Sequence, residues 1–324
     1  MALHGTRDSA VSGSDSGVDS VRKAHRCTVI VVTYNARSTI RACLVPLLGM
    51  PDVELIVIDN SSGDGTAALV AQELSSVRLI ALQENMGFGR ACNIGVAASS
   101  GDAIFLLNPD AIASPEPVWT LVGFLEQHPR AGIAGARLVD PSGRLLQCMG
   151  DRPSIAGLVL DKLLALCAEL AGRQGALRWL LGALLAKYRV PVCPQPVAWV
   201  SGAALCCMRS VWEEIGGFDE DFFLYHEDVY LCLRVAQAGW EVWHVPEAVI
   251  VHYSGASFAG DREFQKRAYY ASQRYLFRKH SGALGAHLLG VAQWPYRSLR
   301  LYRQLGRDRI SRPFPTGPGQ DQQD

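Results

Sequence analysis

Continuous apolar blocks alternate with stretches in which apolar positions recur every three or four residues, and the alternation begins at Cys27. CTVIVVTYN, Cys27 to Asn35, is an apolar strand opening into a polar turn; ARSTIRACLVPLLG then carries apolar residues at helical spacing as far as Gly49. VELIVIDNSS repeats the strand signature and ends in Asp59, Asn60, Ser61 and Ser62. A helix is predicted from Thr66 to Leu74, a short strand at VRLIAL, a helix at GRACNIGVAAS despite Gly95, and a strand at AIFLLNPD. This order is βαβαβαβ. Strands that are apolar throughout, rather than at alternate positions, favour a parallel sheet covered by helices.

Beyond Asp110 the order is more mixed. The pattern predicts a helix from Pro115 to Gln127 and a strand at AGIAGARLVD. The leucine-rich stretch Ile155 to Tyr188 follows, read as one or two amphipathic helices interrupted near Gly172 and Gly175. The segment from Val197 to His252 resolves into strand, helix, acidic loop, helix and strand. These readings predict a disordered arm over 1–26, one catalytic domain over 27–257 carrying the leucine-rich helical segment 155–188, C-terminal helices over 258–312 and a disordered tail over 313–324.

The 324 residues suffice for one large α/β domain, and 31 glycines fit many tight strand-to-helix connections. The 31 basic and 31 acidic residues balance, so the whole-chain charge gives no reason to expect nucleic acid. The nine cysteines show no CxxC spacing, which favours reduced, packed thiols and a cytoplasmic setting. The first 26 residues lack the apolar stretch of a signal peptide, and no uninterrupted apolar run is long enough for a membrane span.

A parallel sheet takes its ligand beyond the carboxyl ends of its strands, so the polar residues there are the candidates for chemistry. The first strand delivers Thr33, Tyr34 and Asn35. The second delivers Asp59, which either accepts a hydrogen bond from a base or sugar or caps the turn SSGDGT. Asn85, Gly87 and Gly89, with Phe88 between the glycines, form either a turn whose small residues allow close backbone approach to a ligand or an ordinary polar turn. Arg90 is either a phosphate contact or a solvated arginine, and Asn93, inside a helix, needs a partner for its amide. Asn108 and Asp110 close the AIFLL strand, where the carboxylate either holds a divalent cation against a diphosphate or caps the helix beginning near Pro115, and His252, at the end of AVIVH, either completes the metal or phosphate contacts or is a structural histidine. Glu227 and Asp228 precede a helix among aromatics that would desolvate a carboxylate and raise its basicity; capping is the competing reading. Trp199, Asp219, His226 and Tyr230 are the acceptor-side candidates. No GxGxxG follows the first strand, which disfavours a dinucleotide-binding dehydrogenase.

Taken in order, VVTYNA, IVIDNSSGDGT, ENMGFGRACNIG, FLLNPDA, the run from Gly202 to Trp240 and VPEAVIVHYSGAS resemble the family 2 glycosyltransferases with the GT-A fold, and within them the bacterial rhamnosyltransferase-like branch. The resemblance covers Cys27 to Ser257 apart from the leucine-rich segment. It implies an α/β GT-A nucleotide-sugar-binding fold with a mostly parallel central sheet and C-terminal helices. It implies that Asp59 contacts the nucleotide base, that Asn85 to Asn93 line the donor pocket, that Asp110 belongs to the metal-binding motif with Mg2+ or Mn2+ as cofactor, and that Asp228, with Glu227 beside it, is the catalytic base. Two positions depart from the branch: Tyr230 stands where an aspartate is common and His226 where an aromatic is. A processive QxxRW signature is missing, which implies addition of a single sugar.

The expected partners are a nucleotide-sugar donor, with deoxythymidine-diphosphate rhamnose implied by the branch, and a glycan, lipid-linked glycan or small-molecule acceptor. A noncatalytic sugar-binding module and a nucleotidyltransferase are the competing classes. Basic and apolar residues interleaved from Lys279 to Arg312 suit either peripheral contact with the cytoplasmic membrane or packing, including a homodimer.

Overall fold

The computed structural model describes residues 26–160, 191–253 and 262–310. The predicted N-terminal arm up to residue 25, the leucine-rich segment from 161 onward and the tail lie outside them, although residues 155–160 are helical as expected.

The chain opens with β1 (Cys27–Thr33), α1 (Ile40–Leu44), β2 (Val53–Asp59), α2 (Thr66–Glu73), β3 (Arg78–Ala81), α3 (Phe88–Ala97) and β4 (Ala103–Leu107). The helix predicted to reach Gly49 stops at Leu44 and tightens into a 3-10 turn over Val45–Leu47, because Pro46 has no N–H to donate to the preceding turn. The helix beginning at Phe88 does pass through Gly95. A Cβ there would lie 2.7 Å from Ile30 Cγ2, so glycine lets α3 settle close onto the sheet.

There follow β5 (Ala111–Ile112), α4 (Pro115–Gln127), β6 (Ala131–Val139), β7 (Met149–Gly150), β8 (Gln195–Pro196), β9 (Trp199–Val200), β10 (Ala204–Met208), α5 (Arg209–Ile215), α6 (Glu227–Gln237) and β11 (Glu241–His252). Last comes the helical segment α7 (Arg262–Ile310), broken at Gly282, whose φ of 73° and ψ of −176° are not helical.

The main sheet runs β3-β2-β1-β4-β10-β6-β11-β5, with β8 also pairing to β11. The first four strands are mutually parallel, as is the β6–β11 pair, but β10 is antiparallel to both β4 and β6, and β5 and β8 are antiparallel to β11. The sheet is therefore mixed but mostly parallel, as expected: β3, β2, β1, β4, β6 and β11 run in one direction, and β10, β5 and β8 run against them. ALCCM is apolar throughout, and such a run carries no signal of direction.

Both faces of the sheet are covered. In β1, Val29 and Val31 pack with Ile40, Leu44, Val70 and Leu121 from α1, α2 and α4, while Ile30 and Val32 pack with Val96, Trp212 and Val235 from α3, α5 and α6. The period-two alternation sends neighbours to opposite faces, and with both faces buried every position must be apolar. A third cluster, Phe222, Val229, Leu233 and Leu276, joins α7 to α6. All eight cysteines among the described residues are free thiols, and all but Cys193 are buried.

Candidate active site

The carboxyl ends of β1, β2 and β4 lie along one edge of the sheet. Because β10 is antiparallel to β4, with Ala204 opposite Leu107, the residues just before β10 reach that same edge. The last residue of β11, His252, pairs with Ala111 of β5 and so arrives beside Asp110. Topology thus gathers residues from five separate stretches of sequence.

At the β1 and β2 ends, Asp59 is buried and heavily used. Its Oδ1 accepts from Thr33 Oγ1 at 2.8 Å and Ser62 Oγ at 2.6 Å, and its Oδ2 from the Ser62 backbone N–H at 3.0 Å. The turn-capping arrangement is present. A carboxylate has about four acceptor sites, so capacity for a further contact remains. Asn35 and Ser61 adopt left-handed backbone, with φ of 53° and 66°. Their turns are stitched together by Asn35 N to Ser62 Oγ and Gly63 N to Asn35 Oδ1, at 2.9 and 2.8 Å. Tyr34 stands half-buried next to this turn.

The Asn85–Phe88 loop is held from beneath by Asn60, which the sequence reading placed in a turn without a role. Asn60 Nδ2 donates to Asn85 Oδ1 and to the Gly87 carbonyl, at 2.9 and 3.1 Å, and its Oδ1 accepts from Met86 N at 2.8 Å. A wholly buried asparagine immediately after an apolar strand was the available signal, since such an amide must find partners. Gly87 has φ 84° and ψ 169°, and a Cβ there would lie 2.5 Å from the Phe223 carbonyl oxygen. That carbonyl accepts from Phe88 N at 3.0 Å, tying the loop to the segment ahead of α6.

Two of the predicted donor residues are engaged within the protein. Asn93 finds its helix-interior partner in the main chain of Phe218, accepting from its N at 2.9 Å and donating to its O at 3.0 Å. Arg90 faces Glu220 at 3.3 Å. Asn108, Asp110 and His252 do come together: His252 Nε2 is 3.1 Å from Asp110 Oδ1 and 3.4 Å from Asn108 Nδ2. Among the described residues there is no group of three or more His, Cys, Asp or Glu side chains able to hold a metal. The 3.1 Å His252–Asp110 contact is a direct hydrogen bond or ion pair, and two oxygen and nitrogen side chains at that distance are close enough to serve as adjacent ligands of one small cation.

The acidic pair splits. Asp228 is half-buried; its Oδ2 accepts from Gly202 N and its Oδ1 from Val229 N, both at 2.8 Å. Burial outweighs these hydrogen bonds and raises its pKa above the usual aspartate value. Gly202 adjoins Ala203, whose carbonyl accepts from Asn108 N at 2.9 Å, so a short backbone path links Asp228 to the Asn108–Asp110 corner. Glu227 is the more deeply buried of the two. Its Oε2 is buried with no hydrogen-bond partner, and burial first, then the neighbouring Asp228 charge, push its pKa well above the usual glutamate value.

Just before them, Tyr225 and His226 both occupy the left-handed region, with φ of 70° and 65°. Burial depresses the His226 pKa to about 4, so it is neutral. Of the other acceptor-side candidates, Trp199 packs on the Phe222–Val229 cluster, Tyr230 stacks near Phe222 at 5.5 Å, and Asp219 is paired with Lys279 at 3.0 Å.

The family model described as "Glycosyl transferase family 2" matches residues 28–161, and one described as "Glycosyl transferase family group 2" matches residues 176–304. An N-acetylglucosaminyl-diphospho-decaprenol L-rhamnosyltransferase of Mycobacterium tuberculosis is 30% identical over 268 residues, covering 78% of this chain and 85% of the relative. The chain belongs to glycosyl transferase family 2. An O-antigen chain rhamnosyltransferase of Salmonella typhimurium is 26% identical, covering 80% of this chain and 77% of its own. Among solved structures, a mannosyltransferase from Pyrobaculum calidifontis, in complex with GDP-mannose and Mn2+, superposes with a TM-score of 0.51 at 16% identity, over 89% of this chain and 81% of that one. This family 2 member is a glycosyltransferase that moves a sugar from a nucleotide-sugar donor to a glycan acceptor, in keeping with polysaccharide biosynthesis.

Proposed function

We propose that this glycosyltransferase has the GT-A fold, inverts the anomeric carbon, and adds one rhamnose from deoxythymidine-diphosphate rhamnose to a lipid-linked glycan. The observation that carries the chemistry is the Asp228 carboxylate: half-buried, raised in proton affinity, fixed by the Gly202 and Val229 N–H groups, and joined through Ala203 and Asn108 to the Asp110–His252 pair. An acceptor hydroxyl is a weak nucleophile until its proton has a destination, and Asp228 Oδ supplies one. Attack from that side, opposite the departing diphosphate, gives inversion without a protein nucleophile.

Asp110 and His252 would hold Mg2+ or Mn2+, with donor phosphates supplying further ligands; such a cation neutralises charge growing on the leaving diphosphate. Asp59, Thr33 and the Asn60-supported Asn85–Phe88 loop form the donor side. The sugar and acceptor classes rest on the rhamnosyltransferase names of two relatives, one of which acts on a diphospho-decaprenol. A lipid-linked acceptor also gives a use to the basic C-terminal helix, which we place at an anionic membrane surface.

The test is nucleoside-diphosphate release from a panel of nucleotide sugars with Mg2+ or Mn2+. Release should be fastest with deoxythymidine-diphosphate rhamnose and should rise when a polyprenyl-diphospho-sugar is added. A donor preference for another sugar would overturn the rhamnose assignment, and release indifferent to acceptor would overturn the transfer reading.

A further inference from the structure

The segment 219–226, immediately ahead of the Glu227–Asp228 pair, is gripped along its length by one face of α7. Lys279 Nζ meets Asp219 Oδ2 at 3.0 Å; Tyr275 OH donates to Asp221 Oδ2 at 2.7 Å; Ser272 Oγ donates to the Leu224 carbonyl at 2.7 Å; and the Tyr269 ring lies 4.6 Å from that of His226. Positions 269, 272, 275 or 276, and 279 recur at three or four residues and therefore share a helix face. Read downward, they meet positions 226, 224, 221 and 219 read upward. Leu276, in the same row, packs with Phe222, and the Phe222 and Tyr275 rings meet at 4.7 Å.

The opposite side of the same segment is bound to the donor loop. Phe223 O accepts from Phe88 N, and Gly87 sits so close to the Phe223 backbone that any side chain would collide with it. At its start, Asn93 holds both main-chain groups of Phe218. The segment is thus a layer between α7 and the donor side, and it ends in two consecutive non-glycine residues in left-handed backbone. Such backbone persists only where its surroundings over-determine it. Here the surroundings include the Ser272 hydroxyl and the Tyr269 ring.

We propose that this face of α7 is a positioning track: Ser272, Tyr275 and Lys279 set the course of residues 219–226, and through it the placement of the Asp228 carboxylate against the donor loop. Asp219 is then a link in the track. The inference deepens the proposed function and rests on Asp228 as the base. The track residues touch no substrate; they act through the segment, so their loss should change turnover more than donor binding.

The experiment compares the parent with Ser272→Ala/Tyr275→Phe/Lys279→Met, which removes only the polar grips. We expect kcat to fall about tenfold or more, because a displacement near 1 Å at a reacting centre costs on the order of 100-fold. Donor KM should stay within about twofold, and the amides of 219–226 should exchange hydrogen faster while the rest of the chain keeps its protection. Lys279→Met alone, at a partly exposed position, serves if the triple variant does not fold. Rescue is read in the swap Lys279→Asp/Asp219→Lys, which should recover most of the kcat lost in Lys279→Met. An unchanged kcat, a kcat loss that merely tracks the unfolded fraction, or a swap that recovers nothing overturns the track. Asp228→Asn run alongside separates the two readings: full transfer in that variant removes Asp228 as the base, whereas amide exchange over 219–226 reports the track whichever carboxylate takes the proton.

Discussion

Asp228 and Glu227 are adjacent in sequence, yet α6 turns them into different surroundings, and each predicts a different measurement. Asp228→Asn keeps the size but loses the proton acceptor and one of the two backbone hydrogen bonds, since its NH2 cannot accept from the Gly202 or Val229 N–H; transfer should fall about 10²–10⁴-fold or more while donor binding, read by calorimetry, stays near the parent value, and transfer within twofold of the parent would move the base elsewhere. Glu227 is a buried acid whose pKa is raised by burial and then by Asp228. The fold therefore holds its proton more tightly than the unfolded chain does, and the stability from this group is fully present below the ordinary glutamate pKa and is lost as pH rises through the folded value. The slope is at most about 1.4 kcal/mol per pH unit. His226, depressed to about 4 by burial, has the opposite sign and costs stability as pH falls from 6.5 toward 4. The parent-minus-variant difference isolates the acid: Glu227→Gln should make the decline in urea midpoint above pH 5 shallower, leaving the share that the raised Asp228 contributes, and an identical decline in both proteins would contradict the assignment. At the other carboxylate, Asp110→Ala should weaken donor affinity only when Mg2+ or Mn2+ is present. If chelator and mutation add rather than overlap in donor calorimetry, Asp110 is not a cation ligand.

At the scale of elements, the turn chemistry decides more than the helices and strands do. Gly87 combines a positive φ with a 2.5 Å approach of any added Cβ to the Phe223 carbonyl, so Gly87→Ala should cost about 1–3 kcal/mol of stability from backbone strain alone and weaken donor binding, because the loop must leave Phe223. Denaturation midpoints and donor titration check both, and a variant with the parent's midpoint would refute the close contact. The strands β1, β2, β4, β6 and β11 and the helices α2 and α4 were legible, because apolar runs of strand length and 3.6-residue periodicity report element type directly. Asn93 was legible as an asparagine in need of a partner, but the partner, Phe218, lies 125 residues away, and sequence spacing carries no trace of that contact. The direction of β10 was illegible for the same reason. Direction and register are set by which strands meet in space, and both faces of ALCCM are apolar either way. Pairing His252 with Asp110 depended on both residues standing at the ends of apolar runs; the β5–β11 ladder that joins them is only two residues long on the β5 side.

For the whole molecule, the formal charge is zero, yet the charges are unevenly distributed. After Arg278 the sequence carries Lys279, Arg297, Arg300, Arg303, Arg307 and Arg309 up to residue 310, against Asp308 as the acid. No helix among the described residues is long and apolar enough to cross a membrane. The helix beyond Gly282 instead leaves Leu284, Leu288 and Val291 exposed at 70%, 46% and 59%, at spacings of four and three that put them on one face, while Leu289 and Gln293 face inward and Gln293 donates to Gln273 at 2.6 Å. An apolar face on a basic helix suits the boundary of an anionic leaflet, where each well-placed Lys or Arg contributes about 1 kcal/mol and added salt weakens the attraction. The chain should therefore sediment with anionic liposomes at low salt, less so at high salt, and weakly with neutral ones. Leu284→Ser/Leu288→Ser/Val291→Ser should lower the bound fraction under every condition without moving the thermal midpoint, since all three side chains already face water; a version ending at Ser281 should lose the salt-dependent part as well. Equal recovery of parent and variants in the supernatant would rule out the membrane role and turn attention to a second copy of the chain as the cover for that face. The parent's elution volume in gel filtration, compared with the triple variant's, would then read that dimer directly.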